Sequence, residues 1–192
     1  MTPLARTLAL AAALAASGCG PMHIRTPRVD GTAAALYLAD YGGHSGLIFA
    51  RETGELVEYG YGWWDWYALN HDRWYNVFPL FIVPGEGALA RRTLPPAGNA
   101  ELLRVRHGFE HVWEIRADRQ RVDSLRDSLD AAFERRRDRE VDNTETGMTC
   151  VPNERLYTLL FNCNSAVAEW LEAVGCEVRG QRLMAEFLIE PE

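Results

Sequence analysis

Gly42-Gly43-His44-Ser45-Gly46-Leu47-Ile48-Phe49 admits two chemical readings, and the choice between them decides the fold. A Ser between glycines suggests the nucleophile of a serine hydrolase. A His opening an apolar strand suggests a general base whose nucleophile lies elsewhere. A nucleophile elbow requires Gly-x-Ser-x-Gly on a tight turn from strand to helix. In Gly43-His44-Ser45-Gly46-Leu47 the second Gly arrives one residue early, and Leu-Ile-Phe-Ala continues as a strand. Ser45 reads as a bystander and His44 as the chemical residue.

A His base needs a nucleophile, and the segment Leu160-Phe-Asn-Cys-Asn-Ser-Ala-Val-Ala-Glu-Trp-Leu171 supplies one. Helical spacing predicts a helix from about Asn162 to Val174, stopped by Gly175. Cys163 falls in its first turn, where unpaired N–H groups and the helix dipole favour a thiolate and predict a lowered pKa. Cys163, Val167, Trp170 and Val174 recur at i, i+4, i+7 and i+11, so the sulfur belongs to the inward face. The bland alternative is a small buried thiol beside a hydrogen-bonded core His.

On these two motifs, with His-x-Gly first and the Cys helix near the C-terminus, the chain resembles the permuted branch of the NlpC-type papain-like thiol hydrolases. It is also similar to a group of bacterial lipoproteins with a Gly-Trp-rich run, here Tyr59-Gly-Tyr-Gly-Trp-Trp-Asp65. The resemblance spans roughly residues 34 to 178. It implies an α+β fold in which an antiparallel sheet packs on a helix with Cys163 at its N-terminus. It also implies Cys–His chemistry on an amide or ester through a thioester, in a branch of amidases, peptidases and lipid acyltransferases. The polar residue orienting His44 would be Glu58, in Leu56-Val-Glu-Tyr59, with Asp65 as rival. A three-residue turn centred on Arg51 would set position 58 opposite His44, whereas a Thr-Gly turn would set 62 or 63 there.

Outward from these motifs, strand-like runs cover Ala34 to Ala39, Ser45 to Ala50 and Glu55 to Tyr59, the last two joined by the turn Arg51-Glu-Thr-Gly54. An aromatic segment, Tyr61 to Phe78, follows and reads as core more readily than as a substrate groove. Leu80 to Val83, Glu101 to Arg106 and His111 to Arg116 are further strand candidates. Asp118 caps a predicted helix with Val122, Leu125, Leu129 and Phe133 on one face. Residues 138 to 153 read as a loop.

The first eighteen residues read as a signal peptide, with Arg6 ahead of an apolar run too short to span a bilayer. Ala-Ser-Gly-Cys19 resembles a lipobox, with Ala16 where Leu is usual; a plain secretory signal is the alternative. Lipidation of Cys19 would anchor the protein in the bacterial envelope, and Gly20 points to the outer membrane facing the periplasm. Of the 192 residues, 19–33 read as a linker and 34–192 as one domain. The net charge of −7 excludes nucleic acid as the main partner. All 20 basic residues are Arg, which reads as codon bias.

Besides Cys19, three thiols remain in an oxidising compartment. Cys163 and Cys176 stand at opposite ends of one helix, on the order of 20 Å apart, too far to bridge. Cys150 could pair with either, and a Cys150–Cys176 bridge would leave Cys163 free. His71, His107 and His111 have no partner at ligand spacing, so no metal and no cofactor is expected. The expected function is a lipid-anchored envelope thiol hydrolase or acyltransferase acting on a cell-wall peptide, a lipid or a lipoprotein. The alternative from another class is a non-catalytic lipoprotein that uses the fold as a binding scaffold.

Overall fold

The computed structural model describes residues 20–71 and 83–190. Its strands are β1 (Met22–Arg25), β2 (Ala33–Asp40), β3 (Ser45–Ala50), β4 (Leu56–Trp63), β5 (Gly85–Leu94), β6 (His111–Asp118), β7 (Val141–Asn143), β8 (Met148–Tyr157), β9 (Glu177–Arg179) and β10 (Phe187–Glu190). The α-helices are α1 (Ala100–His107), α2 (Arg119–Glu134) and α3 (Cys163–Ala173). A π-helical turn, Trp64–Ala68, follows β4. Seven strands form one sheet in the order β6-β2-β3-β4-β5-β8-β7, antiparallel at every pairing. The fold is α+β, and α3 carries Cys163 at its start as expected.

Alternation along the strands sends side chains to two different cores. Leu36, Leu38, Leu47, Phe49, Val57 and Tyr59 join Val122, Leu125, Leu129 and Phe133 of α2 and Val167, Ala168 and Leu171 of α3. Ala39, Ile48, Leu56 and Leu94 face the other way, onto Leu103 of α1 and Phe109. Leu171 is 0 % exposed, a burial that contributes about 2 kcal/mol. Asp130 of α2 ties helix to sheet, accepting from Arg51 Nη2 at 2.8 Å, Arg91 Nη1 at 3.0 Å and the Tyr59 hydroxyl.

The β3–β4 hairpin decides where the site residues fall. Gly54 takes φ 85°, and its N–H donates to the Arg51 carbonyl at 3.0 Å. Ala50 then pairs with Leu56 and Gly46 with Gly60. Extending that register sets Gly62, not Glu58, opposite His44. Glu58 pairs instead with Ile48.

Several expectations are corrected. Residues 101–106 are helical, because Asn99 caps α1 through its side chain to the Leu102 N–H and Gly108 closes it at φ 70°. Residues 138–153 are not a loop, since β7 and the start of β8 lie there, turned at Gly147 with φ 67°. The stretch expected to be a linker contains β1, which pairs parallel with β10 and antiparallel with β9. Met22 and Ile24 enter the main core at 0 % exposure, so folded structure begins before residue 34. Cys150, Cys163 and Cys176 are all free and buried. A Cys150–Cys176 bridge does not form, because Cys150 packs beneath the π-helical turn whereas Cys176 sits in the α2–α3 core. Cys19, the signal sequence, Trp74, Tyr75 and nearly all of the Leu80–Val83 candidate lie outside the described residues. Among the described residues, no helix is long and apolar enough to cross a membrane.

Candidate active site

The N-terminus of α3 is built by its cap. Asn162 is extended, and its Oδ1 accepts from the Ser165 N–H at 3.0 Å, leaving the earlier N–H groups of the first turn unpaired within the helix. The Cys163 thiol lies at this end of the helix. The backbone N–H groups of Asn164, Ser45 and Cys163 itself, with the Tyr157 hydroxyl, all favour its thiolate. Burial outweighs them, and the pKa of the Cys163 thiol is raised, where the helix terminus alone predicts a lowered one. At 6 % exposure the cost of desolvating a thiolate exceeds what these donors return.

Ser45 fastens β3 to α3. Its Oγ donates to Asn164 Oδ1 at 2.9 Å, and Asn164 Nδ2 donates to the Leu183 carbonyl at 3.3 Å. The sequence reading passed over Ser45, although its hydroxyl meets the first turn of α3. Tyr157 was also missed. It stacks on Tyr61 with centroids 5.8 Å apart and planes at 19°, and Phe161 meets Tyr61 edge-on at 5.4 Å. This aromatic shelf holds the Tyr157 hydroxyl beside the sulfur.

His44 sits one residue before β3, and its ring lies over Gly60. Its Nε2 is 3.0 Å from the Tyr67 hydroxyl and 3.3 Å from where a Cβ on Gly60 would stand. Desolvation lowers the His44 pKa from 6.5 to about 4, so the imidazole is neutral at physiological pH. The Ser45 Oγ bond to Asn164 Oδ1 at 2.9 Å sets the residue after His44 against the residue after Cys163. The start of β3 and the start of α3 are therefore brought together.

Glu58 is not joined to that pair. It is 0 % exposed, accepts from Arg92 Nε at 2.7 Å and from the Tyr41 hydroxyl, and Arg92 is its direct cross-strand partner. Burial raises the Glu58 pKa, while Arg92 and Tyr41 oppose the shift. Arg92 goes on to donate to the Thr146 carbonyl at 2.9 Å. This ensemble pins the β4–β5 face to the turn after β7. Asp65, the rival orienter, is exposed on the π-helical turn.

Tyr67, which no motif flagged, fills the place expected of Glu58 or Asp65. The available signal was the alternation Gly60-x-Gly62 inside a strand, which marks close approach of another group. A Cβ on Gly60 would stand 2.5 Å from the Tyr67 hydroxyl, and one on Gly62 would stand 2.4 Å from its Cγ. The aromatic segment thus divides: Tyr61 is buried at 2 % exposure, whereas Trp66 is 43 % exposed. Among the described residues, no group of three or more His, Cys, Asp or Glu is placed to hold a metal ion.

No protein-family model, no curated protein and no solved structure matches this chain.

Proposed function

We propose that the protein is an envelope thiol hydrolase or acyltransferase of permuted papain-like build, with Cys163 as nucleophile and His44 as base. The observation that carries this reading is the Ser45 Oγ–Asn164 Oδ1 hydrogen bond at 2.9 Å, which ties the residue after His44 to the residue after Cys163. The resting pair is neutral, a protonated thiol beside an unprotonated imidazole, so proton transfer accompanies attack and does not precede it.

In the reaction, the Cys163 sulfur bonds to the carbonyl carbon of an amide or ester and its proton passes to His44. The carbonyl electrons move to oxygen, and N–H groups at the start of α3 receive the negative charge. Collapse breaks the bond to the amine or alcohol, which leaves with the proton from His44. Water then cleaves the thioester in hydrolysis, or an acceptor hydroxyl or amine does so in transfer. Lipidation at Cys19 would hold this site among envelope peptides, lipids and lipoproteins.

Incubating the protein with an activated ester and reading its intact mass tests the proposal. A single acyl adduct should appear on Cys163, be released by hydroxylamine, and vanish in Cys163→Ser. His44→Ala should slow its formation at neutral pH by about two orders of magnitude, the usual contribution of a general base. An adduct that never forms, or forms equally fast without His44, would leave the scaffold reading. That second reading draws on the burial and raised pKa of the Cys163 thiol.

A further inference from the structure

We infer that Tyr67 is the positioning residue of the His44–Cys163 pair, the part a carboxylate or amide would otherwise play, and that Gly60 and Gly62 exist to seat it. This rests on the Cys–His reading above and extends it to a residue that reading does not need. His44 has two ring nitrogens, and Tyr67 meets Nε2 at 3.0 Å. An imidazole can take a proton from a thiol at Nδ1 only if Nδ1 is bare, which requires the neutral ring to carry its proton on Nε2. With the Tyr67 hydroxyl as acceptor from Nε2–H, that tautomer is the one held. The phenol is itself held neutral, its pKa raised well above the ordinary value chiefly by burial, with the charge of Glu58 adding to the shift. It therefore acts as a hydrogen-bonding group across the physiological range.

The seat explains why this phenol stays in place. Its ring lies across two glycines where any Cβ would overlap it. Its backbone carbonyl is held by Asn143 Nδ2 at 2.8 Å. The ring centroids of His44 and Tyr67 are 4.6 Å apart, so packing as well as the hydrogen bond fixes the angle of the imidazole. Glu58 is committed to Arg92 and Tyr41 and Asp65 is exposed, which leaves Tyr67 in the orienting position.

The experiment reads the tautomer directly. Nitrogen-15 spectra of the imidazole in the unaltered protein at neutral pH should show His44 protonated on Nε2 and bare on Nδ1; the reverse tautomer overturns the inference. In Tyr67→Phe, which keeps the ring against Gly60 and Gly62, the Nε2 signal should shift. Iodoacetamide alkylation of Cys163 near pH 7 should slow by about tenfold, the worth of one buried hydrogen bond, with its pH midpoint displaced. Glu58→Gln should leave the His44 tautomer as it was. Unchanged or faster alkylation in Tyr67→Phe would overturn the positioning role. If His44→Ala also leaves alkylation untouched, the Cys–His reading itself fails; if His44→Ala slows it and Tyr67→Phe does not, only the role of Tyr67 does.

Discussion

Acid should destabilise this protein through His44, by an amount the structure sets. The imidazole titrates at about 4 in the folded protein against 6.5 when unperturbed, because burial disfavours its charged form. A folded pKa below the unfolded one means the unfolded chain binds the proton first. Its stabilising contribution is therefore complete above pH 6.5 and is lost as pH falls toward 4. A gap of this size, at about 1.4 kcal/mol per pH unit, amounts to about 3 kcal/mol. The comparison that isolates it is His44→Gln, which cannot titrate, since every carboxylate that also titrates in this range is common to both proteins. Urea unfolding at pH 7, 5.5 and 4 should show the wild type losing about 3 kcal/mol relative to the variant. With a slope of about 2 kcal/mol/M, that is a relative midpoint shift of about 1.5 M urea. Two curves that stay parallel from pH 7 to 4 would refute the burial of a neutral imidazole.

Non-reducing peptide mapping should find Cys150, Cys163 and Cys176 without any bridge among them, and in the folded protein Cys150 and Cys176, each with a thiol pushed up to about 12 by burial, should resist alkylation at pH 8. Gly62→Ala sets a Cβ 2.4 Å from the Tyr67 ring and should cost about 1–3 kcal/mol by thermal or urea unfolding, the range for overpacking. Ile24→Ala, in the stretch expected to be a linker, should cost about 2–5 kcal/mol because Ile24 is wholly buried; a loss under 0.5 kcal/mol would show that β1 does not belong to the core.

What could be read from the sequence followed from how local each signal was. The β3–β4 hairpin, α2 and α3 carry their own periodicity, turn and caps within a few residues, and Asp118, Asn162 and Gly54 act where they were expected to. Helix α1 was misread because Leu103 is buried while Leu102 and Val105 are exposed, a face too thin to show a helical period. Asn99 and Gly108 were the better guide. Strand β8 has a short apolar run broken by Pro152, and it exists because β5 lies beside it. At the site, Cys163 and His44 were legible as types at meaningful positions. Tyr67 was not, because its role depends on a register that brings Gly60 and Gly62 beneath it. The predicted acidity of Cys163 failed for a related reason. A helix terminus is visible in sequence, but the depth at which it is buried is not.

Strand β1 also bears on the order in which the molecule can assemble. It is the middle strand of its three-stranded sheet, and the partners it needs are remote: His23 pairs with Leu188, and its side chain meets that of Glu190 across a sequence separation of 167. Closing a loop of that length is slow, and nothing nearer in the chain can substitute for β9 and β10. A growing polypeptide therefore carries Met22 and Ile24 without their β9 and β10 neighbours until residues 177–190 emerge. The strands of the seven-stranded sheet all lie between residues 33 and 157, so they are complete before the small sheet is. Chains stalled short of that point expose two apolar side chains near the beginning, a ready handle for chaperones and proteases that sort finished molecules from unfinished ones.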